Sequence, residues 1–215
     1  MHIDLVRRRL TDLPSPLPPP RPEIEARILR QGALPPGARR DPNGPVRDAA
    51  ALILLYPGAD GEAHIVLQVR PSGDHIHAGQ VALPGGKREP EDHWPEGTAL
   101  REAAEEVGLD TAAVGVITMG VLETVDVRVS GFWLVPVLAV ADGTPNFVAD
   151  PVETADILTV PVRHFLPDAP VEIVDEDRGG WVLRYGAYPV AGHKVWGATG
   201  RVLAQLGAVL GPESR

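Results

Sequence analysis

The stretch from Leu83 to Leu109, LPGGKREPEDHWPEGTALREAAEEVGL, decides how the rest of the chain is read. A glycine turn after Pro84 leads through an acidic loop into a helix carrying Glu102, Glu105 and Glu106. Residues three and four apart share one face of a helix. Leu100, Ala103, Ala104 and Val107 repeat at the same spacing and mark a buried stripe. At about 100° per residue the two sets point to opposite sides, so the expected helix buries one face and offers three carboxylates on the other. Alone, such glutamates make an ordinary solvated face, at a cost of about a few tenths of a kcal/mol per like-charged pair. A divalent cation turns that repulsion into attraction, because hard cations take oxygen ligands. Pro95 suits the first helical turn, with Asp92 or His93 near the cap, and Gly108 suits its left-handed end. Gly85 and Gly86 allow the backbone to approach a ligand closely.

Working outward, 215 residues suffice for one domain with a sizeable core and an added terminal arm. The apolar runs, such as Phe132 to Ala141, are too short to span a bilayer, so no membrane partner is expected. The opening MHIDLVRRRLTDLPSP lacks the apolar centre of a secretory signal, and the expected location is the cytoplasm. With no cysteine, disulfide and thiolate chemistry are excluded, and a metal must bind through oxygen or histidine. A net charge of −9 and the absence of a long basic stretch argue against nucleic-acid binding. An anionic ligand therefore needs local help from a metal and from arginine. Only Lys87 and Lys194 are lysines, and arginine suits bidentate phosphate contacts.

The patterns along the chain predict a short helix over residues 3–12, an extended polyproline segment over 14–22 and a second helix over 23–30. A Pro/Gly-rich loop to about Pro45 follows. Residues 49–56 and 64–70 read as a hairpin, and 80–83 as a short strand feeding the glycine turn. Strands are expected over 115–125, 132–140 and 153–160, with a helical turn at 161–165. Residues 171–174 and 181–190 pair across the turn DEDRGG, and a helix closes the chain over 198–210. Strands on both sides of a helix, with another helix at the end, predict an α/β protein with a mixed sheet between helices.

The central stretch resembles the Nudix box, G-x5-E-x7-R-E-U-x-E-E-x-G-U, where U is a bulky aliphatic residue. Arg101-Glu102-Ala103-Ala104-Glu105-Glu106-Val107-Gly108-Leu109 fits its second half, with small Ala103 at a U position. Five residues after Gly86 comes Asp92, an aspartate where the box has glutamate, and eight residues rather than seven separate it from Arg101. The segment before the box is similar to an upstream pattern of the coenzyme A pyrophosphatase branch, L-L-T-K-R-[SA]-x3-[RH]-x3-G-x-[IV]-[SA]-F-P-G-G. Arg70, His75, Gly79, Val81, Ala82 and Pro84-Gly85-Gly86 fall in register with it, whereas Pro71 and Leu83 depart. The inserted residue in the box is also a habit of that branch.

This resemblance implies a Nudix-type α/β/α sandwich around a mixed β-sheet, with a hydrolase domain over residues 46–215. Residues 1–45 then form a helical, Pro-rich arm packed on it or linked to it. It implies hydrolysis of a nucleoside diphosphate linked to another group, using Mg²⁺ or Mn²⁺. For coenzyme A, the products are 3′,5′-ADP and 4′-phosphopantetheine. Glu102, Glu106 and Glu105 are the implied metal ligands, and Arg101 the arginine that holds a carboxylate in place. The general base is Glu105 or Glu153, and the residues do not choose between them. Arg70, His75, Gly85, Gly86 and Lys87 are the implied substrate contacts. The competing readings are a Nudix pyrophosphatase of ADP-ribose, NADH or a nucleoside triphosphate, a non-catalytic Nudix-like binding module, and an adaptor working through Pro14 to Pro22. Oligomeric state is not legible in the residues.

Overall fold

The computed structural model of the chain describes residues 1–30, 46–73, 77–127 and 130–212. In chain order its elements are α1 (Ile3–Thr11), β1 (Arg27–Arg30), β2 (Arg47–Pro57), β3 (Ala63–Val69), β4 (Val81–Ala82), β5 (Gly85–Lys87) and α2 (Glu96–Val107). There follow α3 (Thr111–Val114), β6 (Val116–Val121), β7 (Val125–Val127), β8 (Phe132–Ala141), β9 (Asp156–Pro161), β10 (Glu172–Asp177), β11 (Val182–Val190), β12 (His193–Val195) and α4 (Gly197–Leu210). The Pro/Gly-rich loop expected up to Pro45 lies outside the described residues.

β2 is apolar on both faces because both are covered, as its unbroken run from Ala49 to Tyr56 requires. It runs parallel to β8, from Arg47 opposite Phe132 to Leu55 opposite Val140. Ala50, Leu52 and Leu54 share one cluster with Val137 and Ala139 of β8 and with Ala99, Ala103 and Val107 of α2. Ala51, Ile53 and Leu55 face the other way, onto Val6 and Leu10 of α1 and Leu203 and Leu206 of α4. The sheet is mixed, since its other pairings are antiparallel, and the architecture is the expected α/β/α sandwich. A second antiparallel sheet, ordered β1-β11-β10 with β12 also on β11, adds Tyr188, Val190 and Val195 to the α4 side of the core.

The hairpin of β2 and β3 pairs only at its closed end, from Leu55 opposite Ile65 to Pro57 opposite Ala63. Beyond that the strands separate, and residues 81–87 fill the gap. β4 pairs with the end of β3 and β5 with Ala49–Ala51 of β2, while the Leu52 N–H donates to the Pro84 carbonyl at 2.8 Å. This wedge carries Gly85 and Gly86 to the flank of α2.

Two expectations are corrected. Residues 23–30 are not a helix: a short 3-10 turn at Pro22–Ile24 leads into β1, whose backbone groups are taken up by β11. Glu153 is not on a strand but in a turn before β9, where the Asp150 carboxylate accepts from the N–H groups of Val152 and Glu153 at 2.8 and 3.0 Å. Among the described residues, no helix is long and apolar enough to cross a membrane.

A Cβ on Gly85 would overlap the Ala50 carbonyl and the Ala51 backbone. Gly85→Ala should therefore destabilise the protein by about 1–3 kcal/mol, the usual range for overpacking, measured by urea unfolding. An unchanged midpoint would show that the wedge is looser than described.

Candidate active site

α2 is flanked by Pro95 at its start and by Gly108 at its end, whose φ of 66° is left-handed and whose N–H reaches the Ala103 carbonyl. A strap of chain over residues 148–154 covers that end. The Val148 N–H donates to the Val107 carbonyl and the Asp150 N–H to the Glu106 carbonyl, each at 3.0 Å. Carbonyls that a helix end leaves unpaired are thereby satisfied, and the C-terminal half of α2 is fixed against the sheet.

The three glutamates do not share one solvated face. Glu105 is exposed, Glu102 is half-buried, and Glu106 is only 2% exposed, on the same side as Ala103 and Val107. Ala104, expected in the buried stripe, is exposed instead, and Leu100 is half-buried. The reason lies in the wedge. The Gly85 N–H donates to Glu106 Oε2 at 2.7 Å, giving the buried carboxylate a backbone partner. Gly86 lies so close to Glu102 that any Cβ there would overlap its carboxylate. Gly85 is thus required by the β2 backbone, and a side chain at Gly86 would have to displace the Glu102 carboxylate.

Arg101 sits among these acids. Its Nε donates to Asp92 Oδ1 at 3.0 Å and its Nη2 to Asp92 Oδ2 at 3.1 Å. Nη2 also meets the Lys87 carbonyl and Glu102 Oε1, both at 3.0 Å, and Nη1 meets Glu105 Oε2 at 2.9 Å. Asp92 receives two more hydrogen bonds at 2.8 Å, from the Glu89 N–H and from the hydroxyl of buried Thr98. The Arg101 hydrogen bonds, followed by those from Glu89 and Thr98, hold the Asp92 carboxyl well below the usual carboxylate range. Burial raises Glu102, with Glu105 and Glu153 adding to the shift and Arg101 opposing it. Burial also pushes Glu106 up to about 7, opposed by Gln68, the Gly85 N–H and Arg70, and reinforced by Glu102.

The sequence-expected residues are therefore partly assembled. Arg101, Glu102, Glu105, Glu106, Gly85, Gly86 and the Lys87 backbone come together, and the charges of Arg70 and Glu153 act on Glu106 and Glu102 respectively. The Lys87 side chain is exposed, and His75 lies outside the described residues. Among the described residues, no three His, Asp or Glu side chains converge as a finished metal cage; Glu105 is drawn toward Arg101. The donors still fit an oxygen-preferring divalent cation, because Glu106 is a buried carboxylate whose ionised form is penalised by burial and by Glu102, a penalty that the more distant charge of Arg70 only partly offsets. A cleft of about 420 Å³ lined by Tyr56, His64, Phe147 and Thr159 lies at the far end of β3, and its lining holds no glutamate or arginine. The acid chemistry is at the wedge, not there.

The sequence placed Asp92 at the box position, one residue further from Arg101 than the pattern has it, and gave it no role in the site; in the fold it anchors Arg101. Gln68 and Thr154 are buried beside Glu106 and carried no sequence signal at all.

A family model described as the NUDIX domain matches residues 46–176. The chain is 31% identical over 169 residues to Nudix hydrolase 15, mitochondrial, of Arabidopsis thaliana, covering 75% of this chain and 58% of that one. It is 31% identical over 172 residues to the uncharacterized Nudix hydrolase NudL of Photorhabdus laumondii, covering 80% of this chain and 88% of that one. Thus the chain spans little more than half the length of the plant relative. Among solved structures, the Nudix hydrolase RenU of M. smegmatis aligns with a TM-score of 0.47 and 29% identity, over 55% of this chain and 72% of that one.

Two outcomes test this geometry. Asp92 binds its proton less tightly in the folded chain than in the unfolded one, so its contribution to stability is present above about pH 4 and lost as pH falls further. Asp92→Asn should lower stability at pH 7 by about 1.5–3 kcal/mol, as for lost hydrogen bonds to a charged group, and the gap should narrow in acid. Glu106 has the opposite sign: its contribution is greatest below about pH 4 and is lost as pH rises toward 7. Carbon-13 NMR of the metal-free protein should find one carboxyl titrating near pH 7 that is missing in Glu106→Gln; its persistence in the variant would refute the assignment.

Proposed function

Because the chain belongs to the Nudix family, we propose that it hydrolyses the diphosphate bond of coenzyme A or its derivatives, yielding 3′,5′-ADP and 4′-phosphopantetheine. The observation that carries the diphosphate chemistry is the buried Glu106 carboxylate, beside Glu102 and on the Gly85 N–H. The coenzyme A assignment is supported by Arg70, Gly79, Val81, Ala82 and Pro84 to Gly86 standing in register with the upstream pattern. We further take residues 46–215 as the hydrolase domain and residues 1–45 as its arm.

In this reading Glu102, Glu106 and Glu105 would hold Mg²⁺ or Mn²⁺. A divalent cation held there would supply charge to offset the diphosphate and would lower the pKa of a bound water. The residues of the chain do the rest. Arg101, fixed by Asp92, keeps Glu102 and Glu105 close together despite their like charge. Arg70 and Lys87 supply positive charge to the phosphates, while Gly85 and Gly86 let substrate reach the wedge. The proton of the water goes to Glu105 or to Glu153, a carboxylate carried by the turn beside Glu102. ADP-ribose, NADH and nucleoside triphosphates remain the rival substrates, since the box is shared among them. A non-catalytic module is disfavoured because the box arginine and carboxylates are all kept.

The test is product analysis with Mg²⁺ and with Mn²⁺ on coenzyme A, ADP-ribose, NADH and deoxynucleoside triphosphates. The expected result is 3′,5′-ADP from coenzyme A at the highest kcat/KM. Comparable rates on all four would remove the coenzyme A assignment. Glu106→Gln should cost at least about a hundredfold in kcat, because changes one shell further out already cost 10–100-fold. Near-normal turnover would remove the hydrolase site itself.

A further inference from the structure

Gln68 is fully buried on β3, where its backbone pairs with Ala82 of β4 and Ile157 of β9. Its side chain lies under the last turn of α2. There Gln68 Oε1 accepts from the Thr154 hydroxyl at 2.6 Å. Thr154 is itself 2% exposed, and its Oγ1 also lies 2.9 Å from the Glu106 carbonyl. That carbonyl already accepts from the Asp150 N–H, so the single hydroxyl hydrogen is free to serve Gln68. The arrangement turns the Gln68 amide NH₂ toward the Glu106 carboxylate. The amide makes no hydrogen bond of normal geometry there, and its Nε2 is buried without a partner. Buried donors are almost always paired, and a side chain such as methionine would fill this space with no donor to satisfy. An amide held by one end with its other end open beside a buried carboxylate has the form of a brace for that carboxylate.

We propose that Gln68, aimed by Thr154, is a positioning residue that fixes the Glu106 carboxylate for divalent-cation binding. The inference rests on the reading of Glu106 as a metal ligand. Glu106 Oε2 is held by the Gly85 N–H from the wedge, and Gln68 approaches the same residue from β3. Partners of this kind orient metal ligands and tune their affinity. Thr154 links the brace to the strap over the end of α2, because its own N–H donates to the Asp150 carbonyl at 2.9 Å.

The experiment is direct Mn²⁺ binding by electron paramagnetic resonance on the full chain, comparing wild type with Gln68→Met, Thr154→Val and Thr154→Ser. Gln68→Met and Thr154→Val should each weaken Mn²⁺ binding about 10–100-fold, with the double variant little worse than either single one. Thr154→Ser keeps the hydroxyl and should bind like wild type, a rescue that a purely space-filling role would not produce. Coenzyme A hydrolysis at saturating Mn²⁺ should keep its KM. A Gln68→Met affinity within about threefold of wild type would overturn this inference alone. Wild type that takes up no Mn²⁺ would overturn the metal-site reading and this inference together. If Gln68→Met fails to fold, the contrast between Thr154→Val and Thr154→Ser decides, and equal affinities there overturn the brace.

Discussion

Two strands that part after three residue pairs leave backbone groups that must find partners, and here the partner is the segment 81–87. Much of the site depends on that substitution. Because β5 lies between the open ends of β2 and β3, a glycine N–H points at the flank of α2 and donates to a buried glutamate. Because that glutamate is buried, its ionised form is penalised and leans on the Gly85 N–H and the charge of Arg70. Glycine at two successive positions follows from sterics: one meets the β2 backbone and the other meets the Glu102 carboxylate.

Arg101 is the second constraint. Four acidic residues, Asp92, Glu102, Glu105 and Glu106, stand within one short stretch, and mutual repulsion works against bringing them together. The guanidinium, with its planar set of donors, contacts three of them and a backbone carbonyl. It does not contact Glu106, the one most in need of a counter-charge. The acids thus fall into a set of three that share the single positive charge of Arg101 and a buried one at the wedge that Arg70 reaches only through its charge. Such a division stabilises the loop from Lys87 to Asp92 against α2 while leaving one carboxylate able to gain from a cation.

Much of this was legible in the residues. The apolar run of β2, the alternation of β3 and the closing helix report burial directly, and the box gave the helix, its ends and its acids. What escaped depends on contacts between distant parts of the chain. Residues 27–30 form a strand because β11 supplies their partners, which no local pattern announces. Helical spacing gives an angle but not what lies at that angle, so Glu106 looked solvated until the Gly85 amide was found beside it. Gln68 and Thr154 meet across 86 positions, and neither residue type signals a site. The turn holding Glu153 was readable in retrospect, since Asp150 followed by Pro151 favours a turn.

The acidic balance of the whole chain, −9, then takes on a different meaning at the site. At long range it disfavours an anionic diphosphate. Exposed charges are screened within about 10 Å at moderate salt, so substrate approach is governed by the groups nearest the wedge. There Arg101 is already committed to carboxylates, leaving Arg70 and Lys87 as the positive side chains of the reading. Those two cannot offset the diphosphate and the glutamates together. The same excess of negative charge that makes the bare site poor for a phosphate makes it good for a divalent cation. On the proposed reading, this charge arrangement favours a metal-loaded diphosphate over a free one before any contact with the rest of the substrate.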